Sequence, residues 1–443
     1  MASNRRSIMI VAGTRPEAIK LAPVFWNLDK LGVDYTFVWS GQHYHYEMSR
    51  IFFEQLGLPE PDIDLDTRSG SHAEQTAKIM VSVEKAIEEL KPSIVVAEGD
   101  TNTTLAVALT SVKKLVPFAH VEAGLRSWDR TMPEEINRIL ADAAAELHFA
   151  PTGLAAINLM HEGIPLRKIH ITGNTIVDVV YKFKDHVARQ GRWLLNKLGL
   201  EPHSYILVTV HRQENTDYPQ RLGNIVKALI ELSKQYPIVF PIHPRTVSRL
   251  QSYGLWSQLS SHENIYLLKP LGYFQFLGLL MNSLIVLTDS GGVQEEACTL
   301  KVPTLTLRYN TERPETVLVG TNRVIGSEAR RIVEEAIKAI NSRSQIVSNA
   351  ESVSNPLGDG RAGERIAIVL SNAVEDHIQI EAIDSRENPY ITYALLELHD
   401  LGEIAKNVGD IVALYDERGT SISDLSKARK IVIRLPRSRA VSK

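Results

Sequence analysis

The chain has 443 residues, of which 44% are apolar, and 49 Lys+Arg against 52 Asp+Glu leave a formal net charge of −3. This near-neutral balance excludes both a broad basic field for holding nucleic acid and an acidic solvating chain. At roughly 150 residues per domain the length implies about three units, and the single cysteine, Cys298, cannot form an internal disulfide, as expected of a reducing cytoplasmic compartment.

No apolar run approaches the ~20 residues that cross a bilayer, and the basic start, Met1–Arg6, leads into a strand-like run rather than a signal peptide. Short apolar runs then alternate with helical patterns. Ser7–Ala12, Asp34–Trp39, Ser93–Ala97, Val116–Val121 and Leu147–Ala150 predict strands, and Pro16–Leu31, His72–Leu90 and Thr103–Leu115 predict helices. Strands this apolar, separated by helices, imply a parallel sheet covered on both faces. The pattern restarts at Ile169–Ile171 and the helical stretch Ile176–Leu198. Strands are then expected at Tyr205–Val210, Ile238–Pro241, Ile265–Leu268, Leu284–Thr288 and Thr304–Leu307. Helices are expected at Gln220–Gln235, Phe274–Asn282 and Val293–Thr299. The economical reading is α/β, two doubly wound halves meeting near Gly173, with a ligand cleft outside the carboxyl ends of both sets of strands. Beyond about Ser371, His377–Ala382 and Lys430–Leu435 predict strands, Ile391–Ala405 a helix and Asp416–Gly419 a turn, giving an appended small α+β module over 373–443.

Two strand–helix turns suit an anion. Gly13-Thr14-Arg15-Pro16-Glu17 offers a tight turn, helix N-terminal amides and the fixed charge of Arg15, with Lys20 a turn further on; an ordinary strand–helix turn with a surface Arg is the alternative. Asp289-Ser290-Gly291-Gly292-Val293-Gln294-Glu295-Glu296 is the stronger of the two. Amides and the Ser290 hydroxyl can meet phosphate oxygens there, Gly291 and Gly292 allow close approach, and Glu296 can accept from ribose hydroxyls. Neither turn matches a dinucleotide fingerprint or a P-loop, so no NAD or ATP is expected. Asp100, Glu122 and Glu134 follow strands towards the cleft, as carboxylates for proton shuttling, although Glu134 also suits the start of a helix by its charge. His211, directly after Leu207–Val210, can donate a proton or bind phosphate, His243 repeats the idea after the next strand, and Arg313 is a diphosphate or uracil-side candidate. His43 and His45 lack a third ligand at a familiar spacing, so no metal is expected, and Cys298 reads as core rather than nucleophile.

Together these segments resemble the non-hydrolysing UDP-N-acetylglucosamine 2-epimerase family. The resemblance rests on Gly13 to Lys20, Gly99-Asp100-Thr101, His120-Val121-Glu122-Ala123-Gly124-Leu125-Arg126 and Met132 to Arg138. It continues through Thr172-Gly173-Asn174-Thr175, Asp289 to Glu296 and Thr311-Glu312-Arg313-Pro314-Glu315, in family order over residues 8 to about 370. It implies a GT-B architecture of two Rossmann-like domains, 1–173 and 174–360, with a helix near 361–372 returning to the first. The implied reaction inverts C2 of the sugar, UDP-GlcNAc to UDP-ManNAc, with no redox cofactor, by eliminating UDP to a bound 2-acetamidoglucal and re-adding it. On the family's pattern Asp100, Glu122 and Glu134 are acid/base carboxylates and His211 the active-site histidine. Arg15, Ser290, Gly291, Gly292, Glu296 and Arg313 contact UDP, and Lys20 matches a lysine of the first motif. A homodimer supplying ManNAc for surface glycans is likewise implied. Gln42-His43-Tyr44-His45 and His211-Arg212-Gln213-Glu214 depart from the bacterial pattern where those segments help form an activating second UDP-GlcNAc site. The rival readings are an epimerase of a UDP-2,3-diacetamido uronic acid, disfavoured by Leu125 and Gly291-Gly292, a hydrolysing epimerase, a GT-B glycosyltransferase, and a UDP-sugar sensor.

Overall fold

The computed structural model describes residues 8–41, 53–67 and 70–380, together with the backbone of four short strands beyond them. It divides into two compact units, 1–380 and 381–443.

In the first unit, strands β1 (Ile8–Ala12), β2 (Tyr35–Trp39), β3 (Ile63–Asp64), β4 (Ile94–Glu98), β5 (Phe118–Val121), β6 (Leu147–Ala150) and β7 (Ile169–Ile171) form one sheet. Its order is β3-β2-β1-β4-β5-β6-β7, and every pairing is parallel. Every residue of β1 and β4 is buried, because helices cover both faces. Alternation along the strands sorts the core: Ile8, Ile10, Phe37 and Ile94 pack on one face, and Met9, Val11, Val38 and Val95 on the other.

A second parallel sheet combines β8 (Ile206–Thr209), β9 (Ile238–Pro241), β10 (Ile265–Leu268), β11 (Ile285–Thr288), β12 (Thr304–Thr306) and β13 (Asn322–Val324), in the order β10-β9-β8-β11-β12-β13. This is the doubly wound α/β pair expected from the alternation of runs. The order reverses between β1 and β4 in one sheet and between β8 and β11 in the other, which fixes where their crevices lie. The helix Ala362–Glu375 returns to pack along the helix Arg15–Leu31, with Gly363 against the Pro23 backbone. That helix runs through residue 373, and the first unit continues to Ile380.

Helix starts are set by local chemistry. Thr14 and Glu17 form a capping box at Arg15–Leu31, Ser71 and Glu74 form another at His72–Leu90, and Gly32 closes the first of these helices in the left-handed region. The helix predicted at Thr103–Leu115 spans Asn102–Lys113, capped by Thr101.

The second unit contributes β14 (Tyr393–Glu397), β15 (Ile411–Tyr415), β16 (Ser421–Ile422) and β17 (Lys430–Arg434), an antiparallel sheet in the order β14-β17-β15-β16. The expected strand at Lys430 is present. The helix expected over Ile391–Ala405 is not: Tyr393–Glu397 pairs residue by residue with Arg434–Lys430, and that pairing overrides the helix propensity of Ala-Leu-Leu-Glu. The expected strand at His377 is also absent, since the chain makes a turn at Asp376–His377 after the helix. Residues 381–382 and Asp416–Gly419 lie outside the described residues. Among the described residues no helix is long and apolar enough to cross a membrane.

Candidate active site

Both strand-order reversals open onto one region of the first unit, and the residues that end β1, β4, β5, β8 and β11 supply its chemistry. At the end of β5 the chain turns sharply: Glu122 adopts φ +69°, and Gly124 follows at φ +85°. A Cβ on Gly124 would stand 2.2 Å from the Ala155 carbonyl oxygen, so only glycine fits. The turn is braced from below. His120 Nδ1 lies 2.6 Å from Asp142 and its Nε2 2.8 Å from the Gly99 carbonyl, which ties the turn to the loop that carries Asp100. Asp142 also accepts from Gly124 N–H and from Arg126, all of it buried. The backbone strain at Glu122 is thus held by a packed, hydrogen-bonded support.

Each of the three predicted carboxylates has its own cationic clamp. Glu122 accepts from Lys20 and, at 3.0 Å, from Arg313. Burial alone would raise its pKa, but Lys20 and Arg313 outweigh burial and hold it below the usual carboxylate range. Asp100 is paired with Arg138, whose other nitrogen lies 2.9 Å from Glu135, and Asn137 donates to the Asp100 carbonyl. Glu134 is bound at 2.7 Å by Arg212. Lys20, predicted to reach the cleft, does so: it is buried, 3.3 Å from Glu295 and 3.5 Å from Glu98 as well as against Glu122.

On the other side, Asp289 knits the two loops of the second reversal together. It accepts from the backbone N–H of His211 (3.1 Å) and Arg212 (3.0 Å) and from Asn215 (3.1 Å). The His211 ring lies 3.4 Å from Asp289 and 6.0 Å, centre to centre, from the His243 ring. Burial, with Arg212, His243 and Arg245 nearby, lowers the His211 pKa against the opposing pull of Asp289. His243 caps the helix Pro244–Ser252, its Nδ1 accepting from Arg245 N–H at 3.2 Å. Ser290 precedes the helix Gly291–Thr299 without a side-chain capping bond, so its hydroxyl is not spent on the helix. A Cβ on Gly291 would meet the Glu312 carboxylate at 2.6 Å and push that side chain aside, whereas Gly292 faces open space. Glu296 is buried one turn along. Burial pushes its carboxyl up to about 8, with Tyr273 opposing and Glu295 adding to the rise, so at neutral pH it is protonated and can donate as well as accept.

The Gly13 turn differs from expectation. The Glu17 carboxylate accepts from the Gly13 and Thr14 amides at 2.8 and 2.7 Å, so two of the N–H groups read as anion-ready serve the capping box instead. Arg15 stands part-exposed beside them. Leu125, read as a mark of the sugar, packs in a small core with Ala123, Ala150 and Leu159. Cys298 is fully buried. His43 and His45 lie outside the described residues, among which no group of three potential ligands could hold a metal.

Several site residues were not singled out from the sequence: Glu98, Arg138, Arg212, Asp289 and Glu295, with Asn174 donating to Glu295 at 2.9 Å and lying 3.5 Å from Glu122. Most stood inside the segments quoted for the resemblance, but partners that mark them lie far off in sequence, 18 positions for Glu295 and Arg313 and 121 for Asn174 and Glu295. The arrangement combines strained, cation-clamped carboxylates with a helix start and arginines across a cleft. It can move protons beside a bound anion.

Comparison with known proteins shows the family. Residues 27–371 match the family model described as UDP-N-acetylglucosamine 2-epimerase. The UDP-N-acetylglucosamine 2-epimerase of Methanocaldococcus jannaschii is 46% identical over 369 residues, 82% of this chain and 98% of that protein. The UDP-2,3-diacetamido-2,3-dideoxy-D-glucuronate 2-epimerase of Pseudomonas aeruginosa is 39% identical, over 82% of this chain and 99% of its own. The crystal structure of the Methanocaldococcus jannaschii UDP-GlcNAc 2-epimerase in complex with UDP-GlcNAc and UDP superposes with a TM-score of 0.77 at 44% identity, covering 83% of this chain and 99% of that one.

Proposed function

Because the chain belongs to the UDP-N-acetylglucosamine 2-epimerase family, we propose that it reversibly converts UDP-GlcNAc to UDP-ManNAc by inverting C2 of the sugar. The C2 proton adjoins no carbonyl, so its direct removal leaves an unstabilised carbanion. Elimination avoids this: the C2–H electrons form the C1–C2 double bond of a 2-acetamidoglucal as the C1–O bond breaks towards UDP. Re-addition of UDP to C1, with a proton delivered to C2 from the opposite face, inverts the centre and balances the reaction without a redox cofactor.

The carboxylates Asp100, Glu122 and Glu134 are the acid/base groups of this reading, and His211 assists the departing diphosphate. Arg15, Lys20, His243, Ser290, Gly291, Gly292 and Arg313 hold the nucleotide and its charge, and Glu296 the ribose. Domains 1–173 and 174–360, with the returning helix, carry the two sides of the cleft. The observation that carries the reading is Glu122, held ionised at a strained turn by one cation from its own half and one from the other. Pre-organised cations next to an ionised base are what a separating anion and a migrating proton require.

The relative from Pseudomonas aeruginosa supports a second reading, the same inversion on a UDP-2,3-diacetamido uronic acid. The core position of Leu125 removes one argument against it. Incubation with UDP-GlcNAc in D₂O, followed by NMR, separates the possibilities. UDP-ManNAc with deuterium at C2 supports the first reading. Free sugar indicates hydrolysis, and no exchange with UDP-GlcNAc but exchange with the diacetamido uronic acid supports the second.

A further inference from the structure

The cluster around Lys20 holds more acid than base. Three buried carboxylates, Glu98, Glu122 and Glu295, surround two buried cations, Lys20 and Arg313. Fully ionised, it would keep an uncompensated negative charge out of water, which is strongly unfavourable. A proton on one carboxyl removes that cost, and the contacts decide which. Glu122 and Glu295 each touch Lys20, Arg313 and Asn174. Glu98 Oε1 and Glu295 Oε2 both lack a hydrogen-bond partner, but among the described residues the one cation that Glu98 meets is Lys20, at 3.5 Å, with neither Arg313 nor Asn174 against it. The other ionisable groups around it are acidic: Glu17 from the helix Arg15–Leu31, Asp100 from its own loop, and Glu122 from the end of β5.

Resting on the epimerase reading above, we propose that Glu98 is a positioning residue of the reaction. It is a protonated carboxyl that lends Lys20 a neutral acceptor, so that the charge of Lys20 stays committed to Glu122. Burial and these acidic neighbours, against Lys20 alone, push its carboxyl well above the ordinary range. When Glu98 loses its proton it becomes a rival anion for Lys20. Glu122 then shares its clamp, and turnover falls although the substrate still binds.

The test compares wild type with Glu98→Gln, whose amide imitates a neutral carboxyl. Infrared difference spectra of the full-length protein at neutral pH should show, beside the band of the protonated Glu296, a second protonated-carboxyl band in wild type that is missing from the variant. In kcat at saturating substrate, the alkaline limb should move upward by at least about one pH unit in Glu98→Gln, with the acid limb fixed. Identical carboxyl bands, or superimposed kcat–pH profiles, overturn the proposal. Should Glu98→Gln not fold, Glu98→Met must lose the same band, and retention of that band overturns it equally. Failure of the epimerase reading looks different, as a wild type that turns over no UDP-GlcNAc, and the band then still decides whether Glu98 holds the proton.

Discussion

Replacing Glu296 by Gln should stabilise the protein, by an amount that grows with pH. In the unfolded chain this carboxyl ionises at its ordinary value of 4.5, whereas in the folded protein burial keeps the proton on until about 8. Between those values the native state binds one proton more than the unfolded state, so stability falls as pH rises, by about 1.4 kcal/mol per pH unit. The sign follows from a raised folded value: the favourable contribution is complete below 4.5 and is lost as pH climbs to about 8. By pH 7 the accumulated cost is about 3 kcal/mol, against under about 1 kcal/mol at pH 5. A Gln side chain is neutral throughout and escapes it. Melting curves of both proteins from pH 5 to 9, in buffers of matched ionic strength, check this. At roughly 2 °C per kcal/mol the Tm gap should widen from about 1 °C at pH 5 to about 6 °C at pH 7 and level off above pH 8. A gap that is constant, or that narrows with pH, refutes the reasoning. On the proposed ribose role of Glu296 the variant should also bind UDP more weakly.

Asp100→Asn and Glu122→Gln should each fold, by circular dichroism and melting, yet lose at least about 100-fold in turnover, the usual worth of a positioned acid or base; wild-type rates in either would remove that residue from the chemistry. Gly124→Ala must move the Ala155 carbonyl or the turn itself and should cost roughly 1–3 kcal/mol, read as a lower Tm. Lys20→Met leaves the buried Glu122 and Glu295 to share one cation, Arg313, and should cost about 3–5 kcal/mol at neutral pH. Acidification protonates the stranded groups, so that deficit should shrink as pH falls, and a pH-independent deficit would show that packing, not charge, is lost.

Strands that are buried on both faces announce themselves as apolar runs, and Leu147–Ala150 or Ile238–Pro241 could be read to the residue from their composition. The amphipathic helices were legible for the same reason. Tyr393–Glu397 was not, because what makes it a strand is its pairing with Lys430–Arg434, a long-range fact that Leu and Ala do not encode locally. The site divides likewise. Glu122 and Ser290 were legible because a strand must end and a helix must begin there. Glu98 and Asp289 were passed over, because a buried carboxylate becomes notable only once its partners are known. The capping box at Thr14 and Glu17 was a local signal that could have been read, and it would have withdrawn two amides from the expected anion site.

The cations of the second half explain why the carboxylates of the first have the charge they do. Arg313 and Arg212, both from the second half, clamp Glu122 and Glu134 in the first, and Asn310 holds Asp129 at 2.9 Å across the same gap. Neither Glu122 nor Glu134 would keep that partner if the halves stood apart. Opening the cleft would remove Arg313 from Glu122, leaving Lys20 to offset burial, and the Glu122 carboxyl would rise towards its ordinary range. On the proposed function an incoming diphosphate is the other claimant for Arg313, so that binding and the basicity of Glu122 would draw on one set of charges. In the proposed reaction the charges that receive the leaving group would thus also set how readily Glu122 takes or holds a proton, in either direction.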